Sequence, residues 1–227
     1  MPAVTPEQIE LLRRIDTPTI CNAVEKLDIR PPTDGHMGAE VRCLLPSLGV
    51  MVGYAVTARF GSTVRGVTHS MEPYWRMWDS LAASSHPGVL VTEEVGPDPG
   101  RGCILGDGMA TVAHRLGGIG VVSNTAVRDI AGIRALGGFH IFGLGLVPSH
   151  GNFGLVDAGT TVTVSGVAVA PGDIVHGDEN GVVVFPAAHV TDVIRLAHEI
   201  IAFEADIFGY FRAADFTLAG LKRRLGA

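Results

Sequence analysis

Two short clusters carry residue types that handle small anions and metal ions. Gly106-Asp107-Gly108-Met109 stands where an expected strand gives way to a helix. Arg128-Asp129 follows another expected strand after the polar run Ser123-Asn124-Thr125-Ala126. At a helix start the N–H groups of Gly108 and Met109 have no intrahelical partner and point at an anion or oxyanion. Asp107 suits two roles there: it caps the helix, as aspartate often does, or it faces a ligand. A guanidinium offers two parallel donors to a substrate carboxylate. A carboxylate beside it can hold Mg2+ or Mn2+, which bind through oxygen and keep several waters. The same dipeptide also suits a local ion pair or a helix cap. Its place at the C-terminal end of a strand is where α/β proteins usually bind ligands.

Other polar residues are less specific. Of the nine histidines, none forms an HxH or HExxH pair, so zinc ligation has little support. His69 and His150 lie in Gly/Ser-rich loops, either as ordinary polar loop residues or as groups that meet substrate. Glu93-Glu94 ends a strand, as a solvated end or a second carboxylate site. No GxSxG, P-loop or GxGxxG motif stands at a strand–helix junction, which removes nucleotide-dependent chemistry such as methyl transfer.

The elements that must position these residues are legible by period. Thr5-Pro6-Glu7 opens a helix whose inward residues are Ile9, Leu12 and Ile15. Asp16-Thr17-Pro18 opens a second one, with Ile20, Val24 and Leu27 inward. Residues 28 to 40 read as a loop, 49 to 60 as a strand, and 71 to 84 as a helix burying Trp75, Trp78 and Leu81. Strand and helix then alternate. Val89 to Val91 is a strand, and Asp107 to Leu116 a helix with Met109, Val112, Ala113 and Leu116 inward. Ile119 to Val122 is a strand, Ile130 to Leu136 a helix, and Phe139 to Leu146 a strand. This alternation predicts a partly parallel sheet with helices packed on it. From residue 155 the chain turns β-rich, with hairpins at Gly166 and at Asn180-Gly181. Helices over 187 to 212 and 215 to 225 close the chain. The expectation is a single α/β domain over residues 1–227 with helical extensions at both ends.

Composition narrows the function. Hydrophobic residues make up 47% and charged residues 18%, which predicts a sizeable core. A net charge of −6 without a basic run disfavours nucleic acid. Lys222-Arg223-Arg224 reads as a solvated last helical turn. Apolar stretches are too short to span a membrane. Cys21, Cys43 and Cys103 are too widely spaced for a zinc knuckle or a disulfide framework, so free buried thiols in a reducing cytoplasm are expected.

Three runs together resemble one family: GDGMATVAHRLGGIGVVSNTAVRD (106–129), PGDIVHGDENGVVVFP (171–186) and HEIIAFEADIF (198–208). They resemble the RraA-like family, which includes the 4-hydroxy-4-methyl-2-oxoglutarate/4-carboxy-4-hydroxy-2-oxoadipate aldolases. The most specific element is an Asp, twenty intervening residues, then Arg-Asp, matched by Asp107, Arg128 and Asp129. The likeness runs from about Asp16 to about Arg212.

The resemblance implies a layered β/β/α, swivelling-domain-like fold assembled as a homotrimer or a hexamer of two trimers. It implies an active site between neighbouring subunits. Asp129 would hold Mg2+ or Mn2+ directly, and Asp107 would hold it through water. Arg128 would bind the carboxylate at the pyruvate end of a 2-keto acid, with the backbone of Gly108 and Met109 helping. Glu204 of the neighbouring subunit, or failing that Glu199, would complete the outer metal shell. Arg128, Asp107 and Glu204 would then be catalytic. The implied activity is cleavage of a 4-hydroxy-2-keto acid to pyruvate, with oxaloacetate decarboxylation as a second activity. The family's namesake instead inhibits ribonuclease E, so a non-catalytic regulator is the alternative. Members of that regulatory type lack the C-terminal glutamate that Glu204 supplies here. The chain departs from the family where Ser123-Asn124 replaces the frequent Asp-Gly and where Asn22 replaces a frequent Asp. The loops at 94–102 and 146–152 are also unusual. By the resemblance these loops would border the distal part of the substrate, which leaves the metal and enolate chemistry intact and the aldol acceptor open, including a sugar-acid derivative.

Overall fold

The computed structural model describes residues 4–65, 70–84, 87–152 and 154–226. In chain order the elements are α1 (Pro6–Arg13), α2 (Thr17–Lys26), β1 (Arg42–Cys43), β2 (Met51–Phe60), α3 (Glu72–Ala82) and β3 (Gly88–Glu94). Then come α4 (Asp107–Arg115), β4 (Gly118–Ser123), α5 (Ile130–Ala135), β5 (His140–Gly143) and β6 (Leu155–Ala158). The remainder is β7 (Val162–Val164), β8 (Val167–Val169), β9 (Ile174–Asp178), β10 (Gly181–Phe185), α6 (Val190–Phe211) and α7 (Leu218–Arg224).

The main sheet runs β1-β5-β4-β3-β2-β9-β10, with β6 also pairing β2. Strands β2, β3, β4 and β5 are mutually parallel, and the other pairings in this sheet are antiparallel. Alternating residues serve opposite faces, as strand geometry requires. Val56, Leu90, Val121 and Ile141 face α3, α4 and α5. Val52, Ile174, Val183 and Phe185 face α1, α2 and α6. On the other face Ala55, Val91, Val122 and Phe142 meet Val162, Val164, Val167 and Val169 of the β7–β8 hairpin. The result is the expected mixed α/β layering: hairpin, sheet, helices. Fully buried Phe60, Phe139, Phe142 and Phe185 fill the space between layers, where truncating such a ring costs about 3–5 kcal/mol.

Local signals set the helix starts. Thr5 and Gln8 form a reciprocal capping box on α1. Asp16 accepts the Thr19 N–H at 2.7 Å to cap α2. Buried His176 then fastens both helices to β9. Its Nε2 donates to the Leu12 carbonyl at 3.1 Å, and its Nδ1 accepts from the Thr17 hydroxyl at 3.0 Å. Asp178 accepts the Thr17 N–H at 2.8 Å.

Several expectations are corrected. Trp75 is 59% exposed; α3 buries Pro73, Met77, Trp78 and Leu81 instead. Val112 is 42% exposed, because α4 turns Ala110 and Ala113 inward. The strand expected over 139 to 146 is continuous only over His140–Gly143, with Leu146 in an isolated bridge to Val127 beyond it. The hairpin expected at Asn180-Gly181 has Glu179-Asn180 as its loop, since Gly181 already pairs with Asp178. Asp178 accepts the Asn180 N–H at 2.8 Å and fixes that register. Glu94 is not solvated: it is only 4% exposed. Of the three free thiols, Cys103 is buried and Cys21 and Cys43 are partly so.

His140 sets an acid limit on stability. Burial, and next the Arg13 charge, push its imidazole down from 6.5 to about 4, and its Nδ1 has no partner. Between pH 6.5 and 4 the unfolded chain therefore binds a proton that the folded chain refuses. Stability falls through that window by about 1.4 kcal/mol per pH unit at most. A His140→Leu variant should lose less stability than the parent between pH 7 and pH 4.5 in urea unfolding. An identical loss in both would remove His140 from the account.

Candidate active site

The two clusters, far apart in sequence, are zipped together by backbone pairing. After β3 the chain returns as an extended segment, Cys103–Leu105, alongside Ala126–Arg128. Ile104 N–H donates to the Ala126 carbonyl at 3.1 Å, and Arg128 N–H to the Leu105 carbonyl at 3.0 Å. Val127 N–H reaches the Gly145 carbonyl at 3.1 Å, which ties the other side. Gly106-Asp107 must then emerge beside Arg128-Asp129, with α4 and α5 starting side by side.

The side chains interleave closely. Arg128 Nε lies 3.2 Å from Asp129 Oδ2, and both side chains are about a third exposed, at 35% and 39%. A Cβ on Gly106 would stand 2.6 Å from Asp129 Oδ2 and 3.0 Å from Arg128 Nε. A Cβ on Gly132 would stand 2.6 Å from Asp107 Oδ2. Glycine at these two positions is thus what lets each carboxylate lie against the other helix's start. Asp129 sits at φ +57°, left-handed backbone that few side chains tolerate. Such backbone strain concentrates at functional sites.

Neither carboxylate is spent on capping. Gly106, not Asp107, is the N-cap of α4, and no side chain caps that end. Asp129 is the N-cap of α5, again without a side-chain capping bond. Among the described residues Asp129 has only Arg128 as an ion-pair partner. The first-turn N–H groups of α4, including Gly108 and Met109, therefore remain available.

These groups open on a pocket of about 350 Å³ whose lining includes Cys103, Leu105, Asp107, Met109, Arg128 and His150. Gly108 lines it too. His150 Nδ1 donates to the Gly151 carbonyl at 2.8 Å, which leaves Nε2 without a role in that contact. His69 lies outside the described residues. The apolar wall of Cys103, Ile104 and Leu105 carried no chemical signal in the sequence.

Glu204 is not part of this pocket within one chain. It is half-buried on α6, whose inward face packs on α1 and α2. Large apolar side chains near it, Ile201, Phe203, Phe208 and Phe211, are exposed. Glu199 is exposed and already paired to Arg195 at 2.8 Å.

The donor set suits a hard cation. Two carboxylates with open acceptor positions match ions that bind through oxygen and keep waters. No group of three or more His, Cys, Asp or Glu side chains gathers among the described residues. A cation here would thus take its remaining ligands from water and substrate.

Comparison with known proteins gives a consistent picture. A family model described as RraA-like, Aldolase/RraA, matches residues 17–184. A Halorhodospira halophila protein named "Putative 4-hydroxy-4-methyl-2-oxoglutarate aldolase" is 32% identical over 151 residues, 65% of this chain and 86% of its own. An uncharacterized Methanocaldococcus jannaschii protein is 26% identical over 199 residues, 85% of this chain and 83% of its own. In fold, an uncharacterized Pseudomonas syringae protein superposes with a TM-score of 0.76 at 21% identity, covering 98% of this chain and 95% of its own. Streptomyces coelicolor RraAS2, described as an unusual member of the RNase ES inhibitor RraA protein family, gives a TM-score of 0.71 at 24% identity, covering 90% and 97%. At such identities the likeness is one of fold.

Proposed function

The chain belongs to the RraA-like family, and from that premise we propose that it is a divalent-metal-dependent lyase cleaving a 4-hydroxy-2-keto acid to pyruvate. Oxaloacetate decarboxylation is its second activity. The observation that carries this reading is the gathering of Arg128, Gly106 and Asp107 around one pocket, with Asp129 paired to Arg128 and against Gly106 beside it.

Each residue has work that suits its surroundings. Arg128 spends Nε on Asp129 and keeps its two terminal nitrogens for the substrate carboxylate. The N–H groups of Gly108 and Met109 orient the same end of the substrate from the start of α4. Asp129, with Asp107 through water, would hold Mg2+ or Mn2+. When bound, that cation supplies positive charge where electrons collect as the carbon–carbon bond breaks. Arg128 adds a fixed positive charge at the same end. Asp107, through an intervening water, accepts the proton of the substrate hydroxyl.

Glu204 would reach the site from a neighbouring subunit in a homotrimer or hexamer. The exposed Ile201, Phe203, Phe208 and Phe211 around it support burial of this helix against another copy. The free thiols suit a reducing cytoplasm. A regulator that only binds a ribonuclease or another protein gives no reason for two uncapped carboxylates beside an arginine.

The test is pyruvate release from oxaloacetate and from a panel of 4-hydroxy-2-keto acids, coupled to lactate dehydrogenase. Release should vanish with EDTA and return with excess Mg2+ or Mn2+. If no keto acid yields pyruvate in a metal-dependent way, the regulator reading replaces this one.

A further inference from the structure

The loop at 146–152 is pinned at both ends. At its start Val147 N–H donates to the Val127 carbonyl at 3.0 Å, and Val127 N–H reaches the Gly145 carbonyl at 3.1 Å. The loop therefore leaves from beside the residue that precedes Arg128. At its other end Asn152 N–H donates to the Ser62 carbonyl at 2.8 Å, and the Asn152 amide donates to the Val64 carbonyl at 2.8 Å. Gly151 sits at φ +61°, and a Cβ on it would stand 2.6 Å from the Ser62 carbonyl oxygen. Only glycine lets the chain turn this close to the segment that follows β2. Gly151 N–H also donates to Ser149 Oγ at 3.2 Å.

Held in this way, the loop lends one side chain to the Arg128 pocket. His150 lines it with Arg128 and Asp107, whereas Ser149, Gly151 and Asn152 line a separate cavity. His150 Nδ1 contacts the Gly151 carbonyl at 2.8 Å, and a carbonyl only accepts, so this nitrogen carries a hydrogen. Nε2 makes no hydrogen bond among the described residues. The residue is exposed, so water reaches it freely.

Bond cleavage leaves a pyruvate enolate, which becomes pyruvate only when its C3 takes a proton. The other side chains lining the pocket are poorly suited to supply it. Arg128 does not give up a proton in a protein. Met109 and Leu105 have no side-chain hydrogen to exchange. Burial pushes the Cys103 thiol up, which makes it a weaker acid, and its Sγ is turned to the Leu105 carbonyl at 3.6 Å. Asp107 serves the substrate hydroxyl. An imidazole, by contrast, readily gains and loses a proton around neutrality.

We propose that His150 is a further catalytic residue of this site, the acid that delivers a proton from Nε2 to C3 of the pyruvate enolate. This role rests on the lyase reading. The doubly protonated ring gives up its Nε2 hydrogen, and the enolate's electron pair forms the new C–H bond. The ring is left neutral, with the Nδ1 hydrogen still on the Gly151 carbonyl. Water then reprotonates Nε2. In reverse, the neutral ring takes a hydrogen from the pyruvate methyl group and regenerates the enolate.

The reverse step is the test, because it needs pyruvate alone. In D2O with Mg2+, proton NMR follows loss of the pyruvate methyl signal. The parent protein should exchange these hydrogens, and His150→Gln should do so at least about a hundredfold more slowly, the low end of what a positioned acid–base group contributes. Carbon dioxide release from oxaloacetate should fall far less in the variant, since that bond breaks before C3 is protonated and water can protonate a freed enolate. Pyruvate affinity by calorimetry should not change. Exchange within a few fold of the parent in His150→Gln overturns the proposal. Loss of exchange together with loss of pyruvate binding also overturns it and makes His150 a binding residue. A parent protein that releases carbon dioxide in a metal-dependent way but exchanges no methyl hydrogens removes His150 and leaves the lyase reading standing. A parent protein that does neither sinks both.

Discussion

Asp129→Asn is expected to lower kcat/KM by about a thousandfold or more while the protein still folds. The magnitude follows from the several kcal/mol that a fixed dication lends a developing negative charge, at about 1.4 kcal/mol per factor of ten. Asparagine is the informative replacement because of the backbone. Asp129 holds φ at +57°, and asparagine shares aspartate's tolerance of the left-handed region. Alanine there adds a strain of about 1–2 kcal/mol, so its loss of activity mixes chemistry with stability. The carboxylate makes no capping bond, so the amide takes no cap away from α5. Three measurements decide it: pyruvate release, Mg2+ affinity by calorimetry, and the thermal midpoint. Turnover within a few fold of the parent would end the metal assignment at this residue. A large drop in the midpoint would instead make Asp129 a folding residue.

Much of this architecture was readable because it is local. Thr5 with Gln8 and Asp16 with Thr19 are caps spanning three residues, and the chain needs nothing distant to form them. The strand–helix alternation from residue 88 to 143 is equally local, and the layered fold follows from it together with the family likeness. Failures fall where a neighbour elsewhere decides. Trp75, Trp78 and Leu81 do fit one stripe at a spacing of three, but the sheet takes Met77, Trp78 and Leu81 and leaves Trp75 in solvent. Val112 lost its expected burial in the same way, to Ala110 and Ala113. Glu94 looked like a solvated strand end because its partners, Ser62, Thr63 and Asn124, lie about thirty residues away.

The candidate site divides along the same line. Residue types pointed to Arg128 and Asp129, and the family spacing joined Asp107 to them. That the two clusters touch depends on Ile104 pairing with Ala126 and Arg128 with Leu105, contacts no periodicity announces. The glycines at 106 and 132 are legible only afterwards, as the positions where a methyl group would collide with Asp129 or Asp107. Glu204 stayed apart because one chain does not bring it near.

Arg128→Lys carries the second large effect, and the geometry explains why a conserved charge does not rescue it. Arg128 Nε lies 3.2 Å from Asp129 Oδ2 in an ion pair, and its two terminal nitrogens can grip a substrate carboxylate side-on. Lysine has one nitrogen and must choose between Asp129 and the substrate. The expected loss is about 10²- to 10³-fold in kcat/KM, the size seen when one transition-state donor is removed. It should be divided between a raised KM, from lost carboxylate binding, and a lowered kcat, from lost stabilisation of developing charge. Stability should barely move, because an ion pair with both side chains about a third exposed contributes about 0–1 kcal/mol. Steady-state kinetics with a thermal melt on the same sample reads all three. A change in KM alone would make Arg128 a binding residue without a part in the bond-breaking step. Unchanged kinetics would mean that the substrate carboxylate lies elsewhere, and the pairing of Arg128 with Asp129 would be only a surface ion pair.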